Sequence, residues 1–213
     1  MPNSTSTLLT DDEIVATQVV LQRGYPLPLP TIRLTDPEDL ARAATRGLRS
    51  LELRAIALDP SDATSPLALV SEICGRHPFV SLQLVVAEGQ RAMARRFDAF
   101  RGESLYVCVV SNGLGVHELA TTTATGIHRH VTEMCREAQS ATDGTRLILV
   151  ARTDRPTGFL VGTSIHRVAP SGPSTWRAGD EVPAALFATE LTRVIEAALS
   201  SSGDSRPEVE PRT

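Results

Sequence analysis

Lysine is absent from this chain of 213 residues, and all 21 basic side chains are arginine. Against 25 acids they leave a formal charge of −4. That balance excludes a general attraction to nucleic acid or to an anionic membrane and leaves room only for a local basic patch. No apolar run approaches the roughly 20 residues that a membrane-spanning helix needs. The opening residues, Met-Pro-Asn-Ser-Thr-Ser-Thr, offer neither the basic start nor the apolar core of a secretory signal. Three cysteines (Cys74, Cys108 and Cys135) form no Cys-x-x-Cys pair, and their number is odd. The expectation is a reducing, cytoplasmic setting with three free thiols. What remains is ordinary globular material, 41% apolar and 22% charged, long enough to bury a sizeable core.

The first third reads as helical. Thr10 through Glu13 spells a capping box, and a helix to about Gln22 should place Ile14, Val15, Val19 and Val20 near one face. Gly24 stops it, and the alternating prolines of Tyr25–Pro30 force an extended segment. Thr35-Asp36-Pro37-Glu38 starts a second helix towards Gly47, with residues 48–58 unassigned. Ser65-Pro66 opens a third, closed at Gly75. Strands follow at Phe79–Ala87, Ser104–Ser111 and Val116–Ala120, the last two joined by an Asn112-Gly113 turn. Ile127, Val131, Met134 and Ala138 then recur at helical spacing. A second strand pair spans Arg146–Arg152 and Gly158–Val168, and Pro183–Leu199 is an amphipathic helix. The order strand, strand, helix thus occurs twice. It predicts a single α+β domain over residues 1–199 with an antiparallel sheet, and a disordered polar tail over 200–213.

Catalytic motifs are weak. Gly113-Leu114-Gly115 begins like a phosphate loop but has Glu118 where the third glycine belongs. Gly162-Thr163-Ser164-Ile165-His166 lacks the closing glycine of a nucleophile elbow, and no helix follows it. On a helix, His128 and His130 point about 200° apart, so with Cys135 they do not converge on a metal. These absences predict a non-catalytic protein without cofactor or metal. Arg42, Arg46 and Arg49 share a helical face, and three helices followed by a hairpin is also the order of a winged helix. A winged-helix DNA-binding regulator is therefore the alternative reading, although Glu38, Asp39 and Glu52 lie close by.

The segment Glu88–Glu103 (EGQRAMARRFDAFRGE) joins two strands that could pair, yet it is far longer than the usual hairpin loop of about 2–5 residues. Met93, Phe97 and Phe100 fall at i, i+4 and i+7, the spacing of one helix face. Such a helix either packs on its own sheet or is offered to a partner. Met, aromatics and Arg are the residues that protein interfaces enrich. The second assignment makes Arg91, Met93, Arg95, Arg96, Phe97 and Phe100 the candidate partner contacts.

The order of elements resembles the EspG family, cytosolic chaperones of type VII (ESX) secretion in mycobacteria. The likeness runs from Leu8-Leu9-Thr10-Asp11-Asp12-Glu13 through Arg46-Gly47-Leu48 and the strand Phe79–Ala87. It continues in the hairpin SLYVCVVSNGLGVHELA and in the stretch from Arg146 through Trp176 to the closing helix. An arginine-only basic set with abundant Ala and Thr is what GC-rich coding produces, as in actinobacteria. The resemblance implies binding of PE–PPE heterodimers or other secretion substrates, without catalysis or cofactor. It also implies a role for the long loop between the second and third strands, the position that Glu88–Glu103 occupies. A helical bundle expected in the second half is missing, since only about seven residues separate Ala138 from Arg146. That departure leaves room for another client or for a homodimer.

Overall fold

Thr10 caps the first helix as the sequence predicts. In the computed structural model its side chain accepts from the Glu13 amide at 3.3 Å, and its own amide donates to Glu13 Oε2 at 2.9 Å. The structure describes residues 6–59, 65–88, 91–102, 105–141, 145–151, 157–171 and 176–201, with backbone alone at 87, 88 and 91–93. The chain begins with strand β1 (Ser6–Thr10) and helices α1 (Asp11–Leu21), α2 (Pro37–Leu53) and α3 (Pro66–Ile73). Strands β2 (Val80–Glu88), β3 (Arg91–Arg101), β4 (Tyr106–Asn112) and β5 (Val116–Thr122) lead into α4 (Ala124–Ser140). Strands β6 (Arg146–Ala151), β7 (Thr157–Val161), β8 (Ile165–Pro170) and β9 (Trp176–Glu181) lead into α5 (Ala184–Ser200). The α+β class is as expected. All described strands form one antiparallel sheet in the order β1-β5-β4-β3-β2-β6-β7-β8-β9.

Two cores lie on opposite faces of this sheet. Leu9, Phe100, Val107, Val109 and Leu119 meet Ile14, Ala43, Leu51 and Val70 beneath α1–α3. Leu82, Phe97, Leu147, Leu149 and Phe159 meet Ile127, Val131, Leu191 and Ile195 beneath α4 and α5. The first core covers one half of the sheet and the second covers the other half from behind. Strand β3, near the middle, sends buried side chains into both.

That placement overturns the helix expected over Glu88–Glu103. Over Arg91–Arg101 its backbone is strand β3, paired in register with β2 from Glu88↔Arg91 to Val80↔Ala99, so two residues separate the strands where a long connection was expected. The spacing of Phe97 and Phe100 imitates a helix because both faces of β3 are buried over residues 97–100, and apolar residues there need not alternate in the usual way. Three smaller corrections have similar causes. Helix α2 continues through Gly47 to Leu53, because that glycine serves a close helix contact rather than a stop. Residues 158–168 are two strands bent at Gly162–Ser164, and β9 pairs beyond them despite its mainly exposed, charged sequence. Val19 and Val20 are 59% and 48% exposed, because only the first turns of α1 face the core. The tail assigned to 200–213 lies outside the described residues after Ser201.

All three cysteines are free, at the end of α3, in β4 and in α4. Burial pushes the Cys74 and Cys108 thiols up to about 11 and that of Cys135 to about 12, leaving them unreactive near neutrality. No helix among the described residues is long and apolar enough to cross a membrane.

Candidate functional site

Of the six residues predicted to meet a partner, the structure divides rather than gathers them. Phe97 is 1% exposed and stacks on His130 of α4 at 4.4 Å between ring centroids. Phe100, fully buried, enters the opposite core. Neither phenyl ring is therefore presented at a surface, which corrects the expectation of a shared helix face. Arg95 lies on the α4 side and pairs with Glu137. Arg96 points to the other face, where Nε and Nη2 donate to buried Asp98 at 2.5 and 2.9 Å. The side chains of Arg91 and Met93 lie outside the described residues; their backbones belong to β3.

The arginines of α2 do not form a free basic row. Arg42 pairs with Glu38 and Asp39, while Arg46 grips Asp12 with Nε at 2.7 Å and Nη2 at 2.8 Å. Only Arg49 of the three is without such a carboxylate contact in the described structure. His128 faces Thr192 and Thr132, and His166 faces Ser164 and the Gly179 carbonyl. No cluster of metal-ligating side chains exists among the described residues.

Two features stand out in place of the predicted one. The first is a sheet face over which no helix packs among the described residues. On β2, β6, β7 and β8 the side opposite α4 and α5 carries Gln83, Ile148, Leu160 and His166 in one cross-strand row. Ser81, Val150, Gly158 and Val168 form the adjoining row. Arg96 and Asp98 continue these rows onto β3, because Gln83↔Arg96 and Ser81↔Asp98 are register partners. None of these β6–β8 residues belongs to the core under α1–α3. Gly158, Val168 and Asp98 of these rows are buried, Ile148, Val150 and Leu160 are half-buried, and Gln83 is exposed. Sequence alternation could have suggested this face: Leu147, Leu149 and Ala151 go inward, but the other positions of β6 are aliphatic as well.

The second is a polar chain under the proline-rich segment. Asp11, the first residue of α1, holds His117 Nε2 at 2.7 Å, and His117 Nδ1 lies 2.8 Å from Ser111 Oγ. The other Asp11 oxygen accepts from the Thr31 amide at 2.7 Å and from its hydroxyl at 2.6 Å. All three members of the chain are buried. Tyr25 packs edge-on against His117, and its hydroxyl is the one buried side-chain polar atom without a partner among the described residues. Burial, followed by the charges of Asp98, Cys74 and Asp11, raises its pKa. Beside this chain lies a cleft of about 190 Å³, with Pro28 and Pro30 on one wall and Ala94, Arg96, Ser111 and Asn112 on the other. Residues 11, 111 and 117 follow no local motif, so the sequence search passed over them. Their only sequence signal is that Ser111 and His117 flank a hairpin turn symmetrically and are therefore cross-strand partners.

Asp11 and Glu13 tie the site to the fold electrostatically. For each, burial alone would raise the pKa, but hydrogen bonds reverse the outcome. His117 and Thr31 lower Asp11; Thr10, Arg54 and Ser50 lower Glu13. Arg54 donates to both Glu13 oxygens at 2.7 and 2.8 Å. Because both folded values lie below the ordinary 3.8 and 4.5, this stabilisation is complete above those values. It is lost as pH falls through the lower folded values. Thermal melts should show the stability of Glu13→Gln converging on that of the original chain in this acid range, with a gap that opens as pH rises towards 6. A gap independent of pH would contradict the assignment.

No protein-family model matches the chain, and no curated protein matches it.

Proposed function

We propose that the protein is a client-binding chaperone of the type VII secretion kind, which holds an aggregation-prone segment of a PE–PPE-like substrate and needs no cofactor. The observation that carries this reading is the half-buried aliphatic face of β6 and β7, over which no helix packs among the described residues. Ile148, Val150 and Leu160 lie side by side there without a helix from the described chain above them. An apolar sheet surface of this kind is stabilised when a partner's apolar side chains remove it from water, at roughly 25 cal/mol per Å². Gln83, Arg96 and His166 border it with polar groups, in the manner of an interface rim. The resemblance in element order supports the client class. The DNA-binding alternative is weakened by the carboxylates that engage Arg42 and Arg46.

Co-expression with a PE–PPE pair that is insoluble alone tests the proposal. The expected result is a soluble complex that co-elutes in gel filtration. A pair that stays insoluble and uncaptured beside abundant folded protein would overturn it.

A further inference from the structure

We propose that Ser111, His117 and Asp11 form an acyl-transfer site that cleaves small carboxylic esters in the cleft under Pro28 and Pro30. The inference is independent of client binding.

Hydrogen-bond logic fixes the protonation pattern. Thr31 donates twice to Asp11 Oδ2, so Asp11 serves as a carboxylate acceptor with Oδ1 turned to His117 Nε2 at 2.7 Å. A carboxylate only accepts, so Nε2 carries the hydrogen in the neutral ring. The lone pair then sits on Nδ1, 2.8 Å from Ser111 Oγ, where it can take the hydroxyl proton. This is the serine–histidine–aspartate relationship, recognised by geometry and role rather than by sequence order, with the two ring nitrogens exchanged relative to the usual arrangement. Ser111 is one of the residues that line the cleft of about 190 Å³, with His117 buried behind it. Pro28, Pro30 and Ala94 suit a short acyl chain.

Two side chains carry donors that could serve an oxyanion. Arg96 is the cross-strand partner of Ser111, and its bonds to Asp98 use Nε and Nη2, leaving Nη1. Asn112 spends its carbonyl oxygen on the amides of Leu114 and Val116 at 3.0 and 3.1 Å, leaving its NH₂ group as a donor. Both residues line the same cleft.

In the reaction, Ser111 Oγ bonds to the ester carbonyl carbon while its proton passes to His117 Nδ1. The carbon–alkoxide bond breaks, and the alcohol leaves with that proton. Water then attacks the acyl-serine, giving one proton to His117, and the carboxylic acid departs as Ser111 recovers its hydrogen. Ester and water are consumed; acid and alcohol are released. Asp11 is a positioning residue that acts through the ring.

The test uses the full chain with a fluorophosphonate probe and with p-nitrophenyl butyrate. The expected result is one phosphonyl adduct, mapped to Ser111, and ester hydrolysis that falls at least about a hundredfold in Ser111→Ala. In Asp11→Asn the acid limb of the pH–rate profile should move to lower pH, which a merely structural role would not produce. If Ser111→Ala fails to fold, adduct mapping on the original chain decides alone. No adduct, an adduct at another residue, or unchanged hydrolysis in a folded Ser111→Ala would overturn the proposal.

Discussion

Replacing Phe97 and Phe100 together by serine should leave the chain unfolded at room temperature. Each ring is buried, one beneath α4 and the other beneath α1–α3, so the double variant damages two cores at once. Truncating a buried phenylalanine costs about 3–5 kcal/mol, and serine adds an unsatisfied hydroxyl. The sum approaches the whole stability of an ordinary domain, about 5–15 kcal/mol. Single variants should remain partly folded, and Phe97→Ser should also lose the stacking with His130. Circular dichroism with urea melts reads both effects. A change of about 1 kcal/mol or less, as at a surface site, would return these residues to a binding role.

Gly47→Ala has the second large effect, and its sign is opposite to helix propensity. In an exposed helix interior, alanine is better than glycine by about 1 kcal/mol. Here a Cβ at residue 47 would lie 2.0 Å from the Asp12 carbonyl oxygen and 2.9 Å from Ala16 Cβ. Backbone of α1 cannot yield as a flexible side chain could, so the two helices must part. The bonds from Arg46 to Asp12 and from Ser50 and Arg54 to Glu13 bridge that same contact and would stretch with it. The expected loss is about 3 kcal/mol, at the upper end for overpacking, with a melting point lower by roughly 10 °C. A stabilised variant would contradict the close packing of α1 on α2.

How far the sequence reveals the molecule depends on how many faces of an element are buried. Helices α4 and α5 each pack one stripe: Ile127, Val131, Met134 and Ala138, which recur at helical spacing in the sequence, are all buried, and the amphipathic α5 buries Phe187, Leu191, Val194, Ile195 and Ala198. Local chemistry was equally legible where it is self-contained, as in the Thr10–Glu13 capping box; the hairpin of β4 and β5 also forms, but its positive φ falls at Gly115 rather than at Asn112-Gly113. The reading failed at β3, where both faces are covered and Phe97 and Phe100 mimic a helical stripe while pointing opposite ways. It failed at β9 because a strand with almost wholly exposed side chains carries no alternation of hydrophobicity. The candidate sites were the least legible. Ile148 and Leu160 look like core residues until the fold leaves their face without a helix. Asp11 meets His117, the partner of Ser111, only because β1 and the start of α1 return to the edge of β5.

The most direct measurement for the central claim compares client capture by the original chain with capture by the double variant Ile148→Ser, Leu160→Ser. Both side chains lie half-buried on the uncovered face, so the variant should fold with a stability change near 1 kcal/mol. If that face holds the client, affinity for a PE–PPE-like pair should fall about thirtyfold or more, the equivalent of one interface residue worth about 2 kcal/mol. Undiminished capture by the folded variant would contradict the account.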